Sequence, residues 1–124
     1  MKKILIIDDD EVLSGLLQLT LELEGHHVET APDGSRGLRM ATSSHFDLII
    51  LDLVMPQVDG IRFLRLLKDR GAAAPPIVIL SSAIESEGAG QFSELGVVDA
   101  ARKPVEPARL VAIVERALGT PARG

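Results

Sequence analysis

Lys3-Ile4-Leu5-Ile6-Ile7-Asp8-Asp9 stands near the start of the chain, four apolar residues running without a break into two acids. Leu48-Ile49-Ile50-Leu51 has the same form and runs into Asp52, and Ile77-Val78-Ile79-Leu80 runs into Ser81. Short apolar runs with no polar alternation suit strands buried on both faces of a parallel sheet, with helices as the crossovers. In such open α/β sheets the ligand site lies outside the carboxyl ends of the strands. Three carboxylates, the Ser81 hydroxyl and the ammonium of Lys103, which follows a further strand-like run, would therefore converge on one edge. That is the pattern of a metal-dependent acidic site.

Working outward, strand and helix patterns alternate five times. The reading places strands at Lys3 to Asp8, His27 to Ala31, Phe46 to Asp52, Pro75-Pro76 to Ser81 and Val97 to Arg102. Between them lie a helix from Asp10 to Glu24 closed by Gly25, a modest one from Ser35 to Ser43 after the Asp33-Gly34 turn, and one from Gly60 to Arg70 capped by Asp59. This third helix carries Ile61, Leu64 and Leu67 on one face. Residues Glu85 to Leu95 contain Gly88 and Gly90, each costing up to ~1 kcal/mol against Ala, so a helix there is weak and mobile. Glu106-Pro107 opens the last helix with Pro at its favoured first position and Leu110, Ile113, Val114 and Ala117 facing inward. In the first helix Leu13, Leu16, Leu17 and Leu21 form one stripe, while Val12, Leu19 and Leu23 form a second arc that either extends the core contact or leaves apolar surface for a helical partner.

Composition limits the alternatives. The 124 residues make one domain, read as 1–119 with 120–124 as a flexible tail or the start of a linker. A hydrophobic content of 46% supports a layered core and excludes a disordered chain. With a net charge of −5 and no Lys/Arg run longer than two, no nucleic-acid footprint is visible. The absence of cysteine removes disulfides and thiolate metal sites and is compatible with a reducing cytoplasm. Met1-Lys2-Lys3 is followed by only four apolar residues, far short of a signal segment or of the ~20 a membrane span needs, so the chain is read as cytoplasmic with no membrane partner.

Lys3 to Asp9, Asp47 to Pro56 with Asp59-Gly60, Ser81 after the fourth strand, and Lys103-Pro104 occur in the order and spacing of one family. Over almost its whole length the chain resembles the response regulator receiver domain, whose single-domain example is CheY. The resemblance implies a doubly wound five-stranded parallel sheet of order 2-1-3-4-5. That order brings Asp8, Asp9 and Asp52 together. At an effective dielectric of 20, two carboxylates about 4 Å apart repel by roughly 4 kcal/mol, so three such pairs rival a domain's total stability of ~5 to 15 kcal/mol. The site must take up a cation or protons, and hard carboxylate oxygens without His or Cys nearby suit Mg²⁺.

By the family pattern Asp9 and Asp52 would be direct ligands with the Val54 carbonyl, and Asp8 would act largely through water. Asp52 would also accept a phosphoryl group from a sensor histidine kinase or histidine phosphotransfer protein, with Lys103 and Ser81 holding the aspartyl phosphate. A downstream effector or fused output domain would then read a conformational switch. The resemblance further implies a cis Lys103-Pro104 bond and partner docking beside the first helix. The chain would catalyse only its own phosphorylation and dephosphorylation.

Taken singly, each residue has a plainer reading: Asp8 and Asp9 as strand-end turn formers, Ser81 as a strand-end hydroxyl, Lys103 as a surface charge. Asp33 and Asp47 are read as turn residues outside the site, and His26, His27 and His45 as surface residues. One departure from the family stands out. Three positions before the lysine, where the family carries Tyr or Phe, this chain has Ala100, and Phe92 is the nearby aromatic that could move instead. Val54 and Ala83, at the positions that tune phosphate lifetime, are apolar, which implies slow self-hydrolysis. An aspartate-nucleophile phosphatase would need an acid at Val54. A flavodoxin-like cofactor binder would need a Ser/Thr/Gly-rich loop where Asp8-Asp9-Asp10-Glu11 repels phosphate. Within the family, the alternative is a degenerate receiver that docks partners without phosphorylation.

Overall fold

The computed structural model describes residues 1–55, 58–70 and 74–119. The expected tail, 120–124, and Pro56 of the quoted motif lie outside them. Five parallel strands, β1 (Lys3–Ile7), β2 (His27–Ala31), β3 (Leu48–Leu51), β4 (Ile77–Ser81) and β5 (Val97–Arg102), form one sheet in the order β2-β1-β3-β4-β5. Four α-helices cover it: α1 (Glu11–Glu22), α2 (Gly34–Ser43), α3 (Gly60–Asp69) and α4 (Pro107–Leu118).

Each central strand is apolar throughout because its residues alternate between two cores. Leu5, Ile7, Ile49, Leu51, Ile77 and Ile79 face one side with Phe63, Leu64 and Leu67 of α3. Ile4, Ile6, Leu48, Ile50, Val78 and Leu80 face the other with Leu17 and Leu21 of α1 and Leu110, Ile113 and Val114 of α4. Such burial stabilises by about 1.5 to 3 kcal/mol per large side chain, which makes the sheet the rigid frame of the molecule.

The edges of this frame depart from the sequence reading in instructive ways. β1 stops at Ile7 and β3 at Leu51, so Asp8 and Asp52 stand just beyond the ladder instead of closing it. Asp10, Asp33 and Asp59 each cap a helix, accepting the N–H of Leu13, Arg36 and Arg62. The inward face of α1 is Ser14, Leu17 and Leu21, whereas Leu16 is 55% exposed and belongs with Val12, Leu19 and Leu23 on the outer face. A 3.6-residue period cannot bring both Leu16 and Leu17 fully onto the sheet. The second arc therefore does not extend the core. On α3 the inward residues are Phe63, Leu64 and Leu67, and Ile61 points outward. His27 and His45 are exposed, but His26 is half-buried with its Nδ1 enclosed. Asp47 accepts the Lys3 N–H at 2.8 Å, tying the start of β3 to the start of β1, and this bond holds its carboxyl below the ordinary range.

Where a weak fourth helix was expected, the chain makes bends and one 3-10 turn, Gly90–Leu95. Gly88, Gly90 and Gly96 all have positive φ, which no regular α-helix accommodates. This crossover is held to its neighbours by charge. The Glu87 carboxylate accepts the guanidinium of Arg109 on α4 and the peptide N–H of Arg102 at the end of β5.

An added Cβ at Gly60 would lie 2.6 Å from the Leu53 Cα and 2.7 Å from the Asp52 carbonyl oxygen, both main-chain atoms. Gly60→Ala should therefore destabilise by roughly 2 kcal/mol in urea unfolding. Gly15→Ala, where a Cβ meets nothing, should stabilise by about 0.5 to 1 kcal/mol, and equal effects would refute the close approach. Arg109, and after it the Arg102 N–H, hold the Glu87 carboxyl at about 2 against an ordinary 4.5. A depressed folded value means the clasp contributes fully above about pH 4.5 and is lost as pH falls towards 2. The Gly88 and Arg102 amide signals of the native chain should shift with a midpoint near pH 2, and a matching shift in Glu87→Gln would exclude Glu87 as the cause.

Candidate functional site

β1 and β3 are adjacent, with Ile7 in register with Leu51. The next residue of each chain segment therefore emerges at the same sheet edge, and Asp8 and Asp52 meet. The Asp52 N–H donates to the Ile7 carbonyl at 3.0 Å, which fixes the two ends against each other. Asp9 follows on the exposed side. Among the described residues, Asp8, Asp9 and Asp52 form a group whose carboxylate oxygens lie within 4.8 Å of one another. Asp8 and Asp52 are buried, 4% and 7% exposed, and Asp9 is open to solvent.

Lys103 comes from the far side of the sheet, just past β5, and its Nζ donates to Asp8 Oδ2 at 2.5 Å and to Asp52 Oδ2 at 3.2 Å. One ammonium thus answers both buried carboxylates. Burial pushes the Asp8 carboxyl above its ordinary value, although the Lys103 hydrogen bond and the Asp10 N–H oppose that rise. Burial acts to lower Lys103, and the bond to Asp8 with the field of both acids outweighs it, so its pKa is raised. The remaining carboxylate oxygens are also directed: Asp8 Oδ1 accepts the Asp10 N–H at 2.9 Å and Asp52 Oδ1 accepts the Val54 N–H at 3.2 Å.

Ser81 ends β4 and is fully buried. Its Oγ accepts the Ala83 N–H at 3.1 Å, and its carbonyl accepts the Lys103 N–H at 3.3 Å. All five expected side chains, Asp8, Asp9, Asp52, Ser81 and Lys103, thus lie at the carboxyl edge of the sheet, and the Val54 backbone stands beside Asp52. The Lys103–Pro104 bond is cis, as expected. Asp33 and Asp47 take no part.

The donor set fits a hard divalent cation. Three carboxylates face one another, one is open to solvent, and a single lysine leaves the cluster with net negative charge. Ala100, buried at the position where an aromatic was noted as missing, floors a cleft of about 370 Å³ whose walls include Val54, Ala83, Ile84 and Phe92. From the sequence, Arg102 is read only as the end of the fifth strand. It sits next to Lys103 and grips the loop after Ser81, a role no motif marks. Among the described residues no helix is long and apolar enough to cross a membrane.

The comparisons with known proteins agree with this geometry. Residues 4–115 match the family described as response regulator receiver domain. Over 119 residues the chain is 39% identical to the alkaline phosphatase synthesis transcriptional regulatory protein PhoP of Bacillus subtilis, covering 93% of this chain and 49% of that protein. It is 36% identical over 119 residues to the DNA-binding dual master transcriptional regulator RpaA of Synechocystis, covering 95% and 49%. The chain thus spans about half the length of the curated relatives it matches. Among solved structures, the receiver domain of Francisella response regulator 1452 superposes with a TM-score of 0.84 at 26% identity, covering 95% of this chain and 97% of that one. The response regulator TrrA of Thermotoga maritima, in complex with Mg²⁺-BeF, superposes with a TM-score of 0.81 at 25% identity, covering 94% and 99%. From its strand order, its acid cluster and these matches, the chain belongs to the response regulator receiver domain family, the phosphorylation-based signalling modules of two-component systems.

Proposed function

We propose that Asp52 is the phosphoacceptor of this receiver. The observation that carries the reading is the pairing of a buried Asp52 with the Lys103 ammonium beside two further acids. In the transfer an Asp52 oxygen attacks the phosphorus of a phosphohistidine, the P–O bond forms as the P–N bond breaks, and the electron pair leaves on the imidazole nitrogen. Lys103 is placed to neutralise charge on the phosphoryl oxygens, and the Ser81 O–H to donate to one of them. Asp8, Asp9, Asp52 and the Val54 carbonyl would hold Mg²⁺, which when bound supplies charge neutralisation for both acids and phosphate. Val54 and Ala83 carry no side-chain group that could orient a hydrolytic water.

The donor is a sensor histidine kinase or phosphotransfer protein, and α1 offers it a surface. Val12, Leu16, Leu19 and Leu23 are exposed at four-three-four spacing, the seam of a helix-to-helix contact. Glu11, Glu22 and Glu24 flank that seam, so a second copy of α1 would meet like charge, whereas a helix with apolar and basic residues would be complemented. A groove lined by Leu13, Leu17, Leu80, Pro104 and Val105 leads from α1 to Lys103. An effector protein or fused output domain would read the phosphorylated state.

Intact mass after incubation with Mg²⁺ and acetyl phosphate should show one added phosphoryl group. It should require Mg²⁺, be absent in Asp52→Asn and persist through the measurement. A chain that stays unmodified even with a phosphorylated kinase would be a docking module instead. For the donor surface, Leu16→Glu with Leu19→Glu should slow transfer from the phosphorylated cognate kinase by roughly tenfold or more, while acetyl phosphate still labels the chain. Unaltered kinase transfer would remove α1 from the contact.

A further inference from the structure

The segment between β4 and β5, residues 82–96, contributes little to the core. Among its described side chains only Ile84 is buried, with Phe92 and Leu95 packed partly against the cluster. Its position is set mainly by Arg102. The guanidinium Nη2 of Arg102 donates to the Ile84 carbonyl at 3.0 Å and to the Glu85 carbonyl at 2.8 Å. Its peptide N–H donates to Glu87 at 2.9 Å, and the Gly88 N–H completes the seam on the Ala100 carbonyl at 2.9 Å. One exposed residue therefore grips three successive points of the loop.

Both ends of this arrangement adjoin residues of the candidate site. Arg102 immediately precedes Lys103. The loop it grips begins at Ser81, whose Oγ accepts the Ala83 N–H one residue before Ile84. A serine hydroxyl has one proton to give, and the Ala83 N–H occupies an acceptor lone pair, so the O–H stays free to donate. If the loop drifted, the Ala83 N–H would leave the hydroxyl, and a buried hydroxyl would turn to the nearest carbonyl. The planar guanidinium loses little freedom in holding two carbonyls at once.

We infer that Arg102 is a positioning residue for phosphoryl transfer: by fixing Ile84 and Glu85 it sets the Ala83 N–H and so keeps the Ser81 hydroxyl oriented at the end of β4. This inference rests on Asp52 being the acceptor. It also gives the chain a route from the site to its surface that needs no aromatic at Ala100. A change at Ser81 or Lys103 pulls on the same loop through Arg102, and the Glu87–Arg109 pair carries it to α4.

The test compares the native chain with Arg102→Ala and with Arg116→Ala. Arg116 pairs with Asp99 away from the loop, so its loss gives the same change of charge without releasing residues 84–87. Initial rates of phosphorylation are measured against acetyl phosphate concentration with Mg²⁺, and the Ala83 amide signal is recorded with no donor present. In Arg102→Ala, which removes both guanidinium bonds to the loop, the maximal rate should fall roughly tenfold with little change in the half-saturating concentration. Its Ala83 amide should be displaced before any phosphorylation, and Arg116→Ala should match the native chain in both. An Arg102→Ala protein with a native maximal rate, or with an unmoved Ala83 amide, would overturn the inference, as would a fall in Tm alone. If the native chain takes no phosphoryl group even from a phosphorylated kinase, the acceptor reading fails, and the Ala83 amide still decides whether Arg102 sets the loop.

Discussion

Repulsion among Asp8, Asp9 and Asp52 is the constraint around which the rest of the molecule is arranged. Carboxylate oxygens held within 4.8 Å of one another, two of the residues buried, oppose folding at the carboxyl edge of the sheet. The opposition is tolerated because β5 carries Lys103 across the sheet to bond both buried acids. Breaking such a pair would leave charge in a desolvated place, so the lysine is as much a structural necessity as a chemical one. The cluster still keeps net negative charge, a donor set that suits a hard cation.

Stability and responsiveness are separated in space. The sheet and the four helices are fixed by hydrophobic burial on two faces, which is insensitive to a single charge at the edge. The crossover between β4 and β5 is fixed chiefly by hydrogen bonds to arginines and by glycines at positive φ. Segments with few buried apolar contacts are those that open at least cost. Here that segment begins at Ser81, so a part of the molecule with few buried apolar contacts adjoins the chemistry.

Legibility in the sequence followed the range of the physics involved. Asp8, Asp9 and Asp52 could be read because strand termination is local and the strand-end rule is general. Asp59 and Pro107 could be read as helix starts because capping needs only the neighbouring residues. Leu16 and Ile61 were misplaced, since side-chain periodicity says which residues share a face but not which face meets the sheet. Asp47 was read as a turn residue because its partner, the Lys3 N–H, lies 44 positions away. Arg102 carried no signal at all, as its three anchor points are 15 to 18 residues distant.

The fold class, the strand order implied by family resemblance, and the identity of the acids, serine and lysine at the site are all legible in the residue order. Apolar runs and their terminating polar residues encode these locally. Packing in three dimensions set the rest: the outer arc of α1 stays exposed, the fourth crossover is a 3-10 turn clasped by arginines, and Lys103 bonds Asp8 and Asp52 together. Those outcomes depend on which elements become neighbours. No local pattern carries that information, because it is settled by packing between residues far apart in the chain.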